Sequence, residues 1–245
     1  MFYWFFEARQ APETAPLVIW LTGGPGCASE VALFYENGPF TINDDLSLRS
    51  NAQSWNEVAN LLYVDQPIGT GFSKSSSIFH YDTNEDEIAA NMKLFIDGFL
   101  EANPQYKGRD FFITGESYAG HYIPSIACHF VKEIPAGSLG LNFKGIAIGN
   151  GWVDPYIQYP QYAEFAYENK LVTFAEYEAL KKGFSACQDM ILNTTADWLL
   201  TLESAMHNLS KYNSKHCSFI AKYQQKVQFY SSFVPLCCSF VQIFA

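Results

Sequence analysis

Residues 110 to 120 read DFFITGESYAG, and this stretch decides the fold. Asp110 to Thr114 has the apolar pattern of a short strand, residues 115 to 120 form a tight turn around Ser117, and residues 118 to 133 predict a helix. A strand, a tight turn and a helix in immediate succession are typical of a nucleophile elbow, which exposes a serine hydroxyl above a central strand. The alternative interpretation is an ordinary Gly-Ser turn that caps a helix.

Short apolar runs on both sides of the elbow predict further strands. They are Phe2 to Ala8, Leu17 to Leu21, Asn60 to Asp65 and Phe143 to Ile148. Residues 84 to 101 place apolar side chains at helical spacing behind an acidic first turn, which predicts an amphipathic helix. This alternation predicts an α/β fold with a mostly parallel sheet flanked by helices.

The second half of the sequence has a different character from about residue 156. Residues 161 to 184 and 196 to 209 predict helices linked by polar turns, and no later run is as convincing a strand as those before residue 150. We therefore expect a core at residues 1–155, a helical insertion at 156–225 and an atypical tail at 226–245.

The composition excludes several classes of protein. Of the 245 residues, 49% are hydrophobic and 16% are charged, which indicates a globular protein rather than a disordered or fibrous one. A net charge of −10 opposes nucleic-acid binding and attraction to an anionic membrane. No segment approaches the roughly 20 apolar residues of a membrane span. The first ten residues, MFYWFFEARQ, lack the basic and aliphatic regions of a signal peptide.

Six cysteines occur without a CxxC pair or histidine-rich spacing, so we predict neither a metal site nor a cofactor. Disulfides formed in an oxidising compartment explain the cysteines better. Glycosylation sequons at Asn193 and Asn208 agree with that compartment. Cys187 and Cys217 could pair, although spacing alone does not establish the connectivity.

The run Gly23-Gly24-Pro25-Gly26 directly follows the predicted strand LVIWL. An acyl-transfer site needs two backbone N–H groups aimed at the developing oxyanion, one from the residue after the nucleophile and one from a glycine-rich loop. Tyr118 and Gly24 would supply them. Most such glycine-rich runs are merely tight loops. The elbow also departs from the usual pattern, because Ala119 replaces its last glycine. The prediction therefore depends on the glycine-rich run and the elbow occurring together.

Five blocks of the sequence resemble the signature blocks of a known family. They are WLTGGPGCASE (20 to 30), ENGPF (36 to 40), YVDQPIGTGFS (63 to 73), FFITGESYAGHYIP (111 to 124) and IAIGNGWVDP (146 to 155). In content and order, over about residues 1 to 190, they are similar to the signature blocks of eukaryotic serine carboxypeptidases, and plant members above all. The resemblance implies an α/β-hydrolase fold and hydrolysis of the C-terminal bond of peptides or proteins at acidic pH.

The resemblance also implies roles for single residues. Ser117 would be the nucleophile, with the amides of Gly24 and Tyr118 as the oxyanion hole. It implies in addition that Cys27 forms a disulfide with a distant cysteine.

Glu36 and Glu116 match the family's pair of facing carboxyls, which hold the substrate's terminal carboxylate together with Thr22 and Gly23. Two close carboxyls cannot both ionise cheaply, so one keeps a proton that it can donate to a carboxylate. Many family members have asparagine at the position of Thr22, and a hydroxyl offers fewer N–H or O–H donors than an amide.

A serine nucleophile also needs a histidine base and an acid that orients it. In this family both follow the serine. The downstream histidines lie in settings unlike the family's, and His121, one helical turn after Ser117, is expected to be structural; the others are His129, His207 and His216. We therefore expect the acid and the base to belong to a C-terminal part of the fold that this chain lacks.

Three functional hypotheses follow. The first is a serine carboxypeptidase of the secretory or vacuolar route, whose partners are peptide or protein C-termini. The second is an acyltransferase or esterase on the same fold, which Thr22 keeps open. The third is a non-catalytic truncated remnant. The sequence does not indicate the oligomeric state.

Overall fold

The structure is a computed structural model that describes residues 1–77, 80–132, 137–194 and 241–244. The chain divides between Trp152 and Val153 into two compact units, and the first also contains the C-terminal strand. Within the described part of the chain, no helix is long and apolar enough to cross a membrane.

The described residues form eight strands and five α-helices. The strands are β1 (Tyr3–Phe6), β2 (Leu17–Leu21), β3 (Phe40–Ile42), β4 (Leu48–Ser50), β5 (Asn60–Val64), β6 (Asp110–Glu116), β7 (Asn142–Gly149) and β8 (Val241–Phe244). The helices are α1 (Glu30–Tyr35), α2 (Glu85–Ala102), α3 (Ala119–Lys132), α4 (Pro155–Glu168) and α5 (Phe174–Thr194).

Six of the strands form the central sheet in the order β1-β5-β2-β6-β7-β8. The four inner strands are parallel to one another, whereas β1 and β8 join antiparallel at the two edges. β3 and β4 form a separate antiparallel pair. The predicted α/β fold, with a mostly parallel sheet and flanking helices, is confirmed.

The two faces of β2 show how the sheet is covered. All five of its residues are buried, as expected for a strand with helices on both faces. Leu17, Ile19 and Leu21 belong to the apolar cluster formed with α2 and α3. Val18 and Trp20 point to the opposite face and belong to the cluster that contains Ala32 and Leu33 of α1. The alternation places β2 and its neighbour β6 at the centre of the core.

Three short elements were missed from the sequence: α1, the β3–β4 pair and β8. α1 has only six residues, and β3 and β4 have three each, too few to show a helical or alternating period. β8 lies beyond residue 150, in the part for which no convincing strand was predicted.

In the second unit, the helical segment predicted at 161–184 is divided into α4 and α5. α4 ends at Glu168, and Lys170 has a left-handed φ of 58°. Thr173 and Glu176 then form a capping box, in which Thr173 N donates to the Glu176 carboxylate at 2.8 Å and Glu176 N donates to Thr173 Oγ1 at 3.3 Å. Ala163, Leu180 and Phe184 pack the two helices together. The helix predicted at 196–209 lies outside the described residues.

Candidate active site

Ser117 lies in the turn between β6 and α3 with a φ of 58°, the left-handed region that side-chain-bearing residues rarely adopt. Its backbone is held on both sides. Ser117 N donates to Gly149 O at 3.1 Å, and Ser117 O accepts from Gly120 N at 3.0 Å and from Trp152 N at 2.8 Å. These three bonds fix a strained turn at the carboxyl end of a central strand, which is the geometry of a nucleophile elbow.

The glycine-rich loop after β2 lies directly against this turn. A Cβ added to Gly23 would meet Tyr118 N at 2.4 Å and the Ser117 Cβ at 2.8 Å, so only glycine allows this approach. Gly24 follows with a φ of 118°. The structure therefore brings together the loop and the elbow whose amides the sequence predicts as an oxyanion hole.

Two hydrogen bonds hold the loop in shape. Cys27 N donates to Gly23 O at 3.1 Å, which closes the turn. Gly26 N donates to the hydroxyl of Tyr122 at 3.1 Å, and Tyr122 is buried on α3. Sequence reasoning missed Tyr122, although its position one turn after Tyr118 on the predicted helix places both rings on the same face.

Glu36 and Glu116 form a pair of interacting carboxyls beside the elbow. Glu36 follows α1, and Glu116 is the last residue of β6, immediately before Ser117. The pKa of Glu36 is raised from 4.5 to about 8, first because the carboxyl loses hydration, then through repulsion by Glu116 and the hydrogen bond between the two carboxyls. At neutral pH the pair therefore carries a proton that it can donate.

A tyrosine near this pair responds to the same charge. The hydroxyl of the buried Tyr63 donates to Asn37 Oδ1 at 2.9 Å. Burial raises the pKa of Tyr63, and the charge of Glu36 raises it further. Tyr63 therefore stays a neutral hydrogen-bond donor in the range over which Glu36 ionises.

Thr22 lies at the same end of the sheet as the elbow. Leu21 pairs with Gly115 in the parallel register, so Thr22 is next to Glu116 along the neighbouring strand. Thr22 is buried, and its Oγ1 accepts a hydrogen bond from Trp20 Nε1 at 3.2 Å. Its own O–H is the single donor that this side chain can offer to a ligand.

The structure gives His121 an aromatic environment. Its ring stacks on Tyr118 with centroids 4.8 Å apart and meets Trp152 edge-on at 5.2 Å. Burial lowers its pKa, and its Nε2 has no hydrogen-bond partner among the described residues. His129, further along α3, packs beside Phe130. No histidine in the described segments hydrogen bonds with Ser117, and both His207 and His216 lie outside them.

The remaining predicted sites lie partly outside the described residues. Asn193 is in the last turn of α5, whereas Asn208 and Cys217 lie outside the described residues. Cys27 and Cys128 are exposed, and neither forms a disulfide with another cysteine of the described segments. In the segments that the structure describes, no three histidine, cysteine or acidic residues are grouped so that they could hold a metal ion.

Three features together define the α/β-hydrolase class. They are a mostly parallel sheet, a serine with left-handed backbone between a central strand and its helix, and a glycine-rich loop against that serine. Comparison with known proteins narrows this class. Residues 1–242 match the Peptidase_S10 family, described as serine carboxypeptidase, and the chain belongs to this family. The match extends beyond residues 1 to 190, over which the resemblance was recognised from the sequence.

Individual relatives agree with the family assignment. The chain is 46% identical over 208 residues to serine carboxypeptidase-like 47 of Arabidopsis thaliana, covering 84% of this chain and 41% of that protein. It is 40% identical over 243 residues to serine carboxypeptidase S10 family member 1 of Dictyostelium discoideum, covering 99% of this chain and 57% of the relative.

A solved structure is also similar. It is the crystal structure of a prohormone-processing carboxypeptidase from Saccharomyces cerevisiae, with a TM-score of 0.68 and 30% sequence identity. The match covers 90% of this chain and 46% of the yeast chain. The chain thus spans about half the length of the proteins that it matches, or less.

Proposed function

We propose that the chain carries the nucleophile and the carboxylate-binding groups of a serine carboxypeptidase that removes the last residue of peptides or proteins at acidic pH. The observation that carries this proposal is the Glu36–Glu116 pair directly beside the left-handed Ser117. A serine elbow alone would fit many hydrolases. A proton-sharing carboxyl pair next to it fits a substrate that ends in a free carboxylate.

In the proposed reaction, Ser117 Oγ attacks the carbonyl carbon of the last peptide bond. The amides of Gly24 and Tyr118 stabilise the negative charge that develops on the carbonyl oxygen. The C–N bond breaks, the terminal amino acid leaves with a proton, and water then hydrolyses the acyl-enzyme at Ser117. Until the terminal amino acid leaves, Glu36 and Glu116 hold its carboxylate, with Thr22 and Gly23 beside them.

The proton of Ser117 needs a base. Because no described histidine reaches Ser117, the base and its orienting acid would come from residues outside the described segments. The burial of His121 between two aromatic rings supports a structural role for it, since a general base must contact the proton that it removes.

The experiment compares this chain with a chimera that continues it with the C-terminal part of the Arabidopsis relative. Both are treated at acidic pH with a fluorophosphonate probe, and the labelled residue is found by mass spectrometry. We expect rapid labelling of Ser117 in the chimera and slow or no labelling in the chain alone. Ser117→Ala abolishes labelling, whereas Ser185→Ala, the matched control at an exposed position of α5, leaves it unchanged.

The substrate class is tested on the same chimera with a blocked dipeptide and its C-terminal amide. Preferential release of the terminal residue from the free acid supports the peptidase. Equal turnover of acid and amide would contradict it. Rapid labelling of Ser117 and peptide release by this chain alone would place the base within residues 1–245 and contradict the expectation that the added C-terminal part supplies it.

An acyltransferase or esterase is the second candidate, and Thr22 is the observation that favours it. With its Oγ1 already bonded to Trp20, this side chain offers one donor where an amide offers two. Acyl transfer from a glucose ester, without dependence on a free C-terminal carboxylate, would establish this alternative.

We also propose a secretory, vacuolar or extracellular location, which the sequons at Asn193 and Asn208 support. The third candidate, a non-catalytic remnant, predicts no labelling of Ser117 in the chimera either.

A further inference from the structure

A second pair of carboxyl groups lies behind the glycine-rich loop. Glu30 is the first residue of α1, and Asp65 directly follows β5. Trp4 Nε1 donates to Glu30 Oε1 at 3.2 Å, whereas Glu30 Oε2 is buried and accepts from no donor among the described residues. A hydrogen bond with Asp65 is among the causes that raise the pKa of Glu30. Asp65 is only 1% exposed, whereas Glu30 is half-buried, so Asp65 is the member of the pair that is shielded from solvent.

Asp65 connects two loops through backbone donors. Its Oδ1 accepts from Ser29 N at 3.1 Å, and its Oδ2 accepts from Phe72 N at 2.8 Å. A Cβ added to Gly71 would lie 2.1 Å from Asp65 Oδ2, so glycine is required for the second loop to approach. One carboxylate therefore joins the chain before α1 to the loop after β5.

Ser29 continues this connection to the start of the glycine-rich loop. Its Oγ accepts from Thr22 N at 3.3 Å and donates to Val64 O at 2.7 Å. Thr22 and Ser29 are the two ends of the segment that contains Gly24. Fixing Ser29 through Asp65 therefore fixes both ends of the segment whose amide is proposed to bind the oxyanion.

The contact between the two carboxyls depends on a proton. Burial raises the pKa of Glu30 above 4.5, and the hydrogen bond and the charge of Asp65 raise it further. Asp65 is the titratable group that acts on Glu30. The other neighbours of the pair are uncharged: Trp4 of β1 contacts Glu30, and Gly71 and Phe72 of the loop after β5 contact Asp65. When Glu30 ionises, its O–H donor is lost and two carboxylates repel each other.

We propose that Glu30 and Asp65 are positioning residues, which hold the glycine-rich loop in its active shape when the pair carries one proton. The purpose of this positioning rests on the proposed function, because the loop matters as an oxyanion hole. The structural claim does not, because it concerns the order of the loop alone and is measurable without catalysis.

Amide hydrogen exchange, followed by NMR on this chain, tests the structural claim. The reporters are the N–H groups of Gly26 and Cys27, whose bonds close the loop. After correction for the intrinsic exchange rate, we expect their protection to fall as the pH rises above the ordinary range of a glutamate. Glu30→Gln keeps a donor toward Asp65 and cannot ionise, so its protection stays constant. The exposed Glu101→Gln serves as the matched control and follows the wild type.

A second variant, Asp65→Asn, changes the acceptor of the pair, whereas Glu30→Gln keeps its donor. An amide cannot accept from both Ser29 N and Phe72 N without turning its NH₂ group toward one of them. At acidic pH we expect at least about a tenfold loss of protection at Ser29 N–H or at Phe72 N–H, whichever faces the NH₂ group, since its bond to a charged acceptor is removed. Unchanged protection would overturn the proposal.

The same pH dependence in Glu30→Gln and the wild type would also overturn it, and this comparison decides the question if Asp65→Asn does not fold. The expected exchange pattern in this chain, together with a chimera whose Ser117 never reacts with the phosphonate probe, would support the pairing and overturn the proposed function. The two failures are thus distinguishable.

Discussion

The two carboxyl pairs of this protein differ in what surrounds them. Glu36 lies beside the elbow, and among the described residues Glu116 is the side chain whose hydrogen bond shifts its pKa. Asp65, in the inner pair, is buried, and both of its oxygens already accept backbone N–H groups. The comparison shows that the groups around a proton-sharing pair decide whether its proton can be donated to a ligand or only stabilises the fold.

The sign of the pH dependence is the same for both pairs. In each, the folded state raises the pKa of one glutamate, so the folded chain binds a proton more tightly than the unfolded chain does. The resulting stabilisation is complete below the ordinary value of 4.5 and is lost as the pH rises. For Glu36 the loss extends to about pH 8.

The largest effect on stability is expected from removing the inner acceptor. Asp65→Ala leaves the buried N–H groups of Ser29 and Phe72 without their partner and should lower the free energy of unfolding by about 3 kcal/mol. Glu116→Ala, in the outer pair, should change it by less than about 1 kcal/mol because that side chain is partly exposed. Urea denaturation at acidic pH measures both. Equal losses would contradict the distinction between the pairs.

A smaller effect is expected from crowding the inner pair. Gly71→Ala places a Cβ against Asp65 Oδ2 at a residue with a φ of 52°, and should destabilise the chain by about 2 kcal/mol. Gly98, in the middle of α2, has open space around its Cα. Gly98→Ala should therefore stabilise the chain by about 1 kcal/mol in the same denaturation assay. A stabilising Gly71→Ala would show that the loop does not approach Asp65 as described.

The outer pair is expected to show its effect in titration rather than in stability. Carbon NMR of the labelled glutamate carboxyls should show one group, Glu36, that titrates near pH 8. Glu36→Gln removes this transition, and Glu101→Gln leaves it in place. If all glutamate carboxyls titrate near their ordinary value, the carboxyls of Glu36 and Glu116 do not interact.

The sequence predicted the central architecture because its signals are strong and local. β2 was predicted with its observed bounds, since LVIWL is a short apolar run that ends at a glycine-rich turn. α2 was predicted almost to the residue, because Asn84 caps it and an acidic first turn follows. The division between α4 and α5 was missed even though Thr173 and Glu176 carry the spacing of a capping box.

The candidate site was predictable only in part. The serine elbow and the glycine-rich loop have recognisable spacing, so Ser117, Gly24 and Tyr118 were named from sequence and remain a proposal as functional groups. The role of Tyr122 depends on its contact with Gly26, which is 96 positions away in the chain. The role of Asp65 depends on its contact with Ser29, which is 36 positions away. Such contacts leave no periodic signal in a single sequence.

The most direct test of the central claim is binding of a blocked dipeptide to this chain, because binding does not need a base. Calorimetry should compare the free acid with its C-terminal amide at acidic pH and again above about pH 8, where Glu36 is ionised. The account predicts tighter binding of the free acid at acidic pH and loss of this preference at high pH. Equal affinity for the acid and the amide at acidic pH would contradict it.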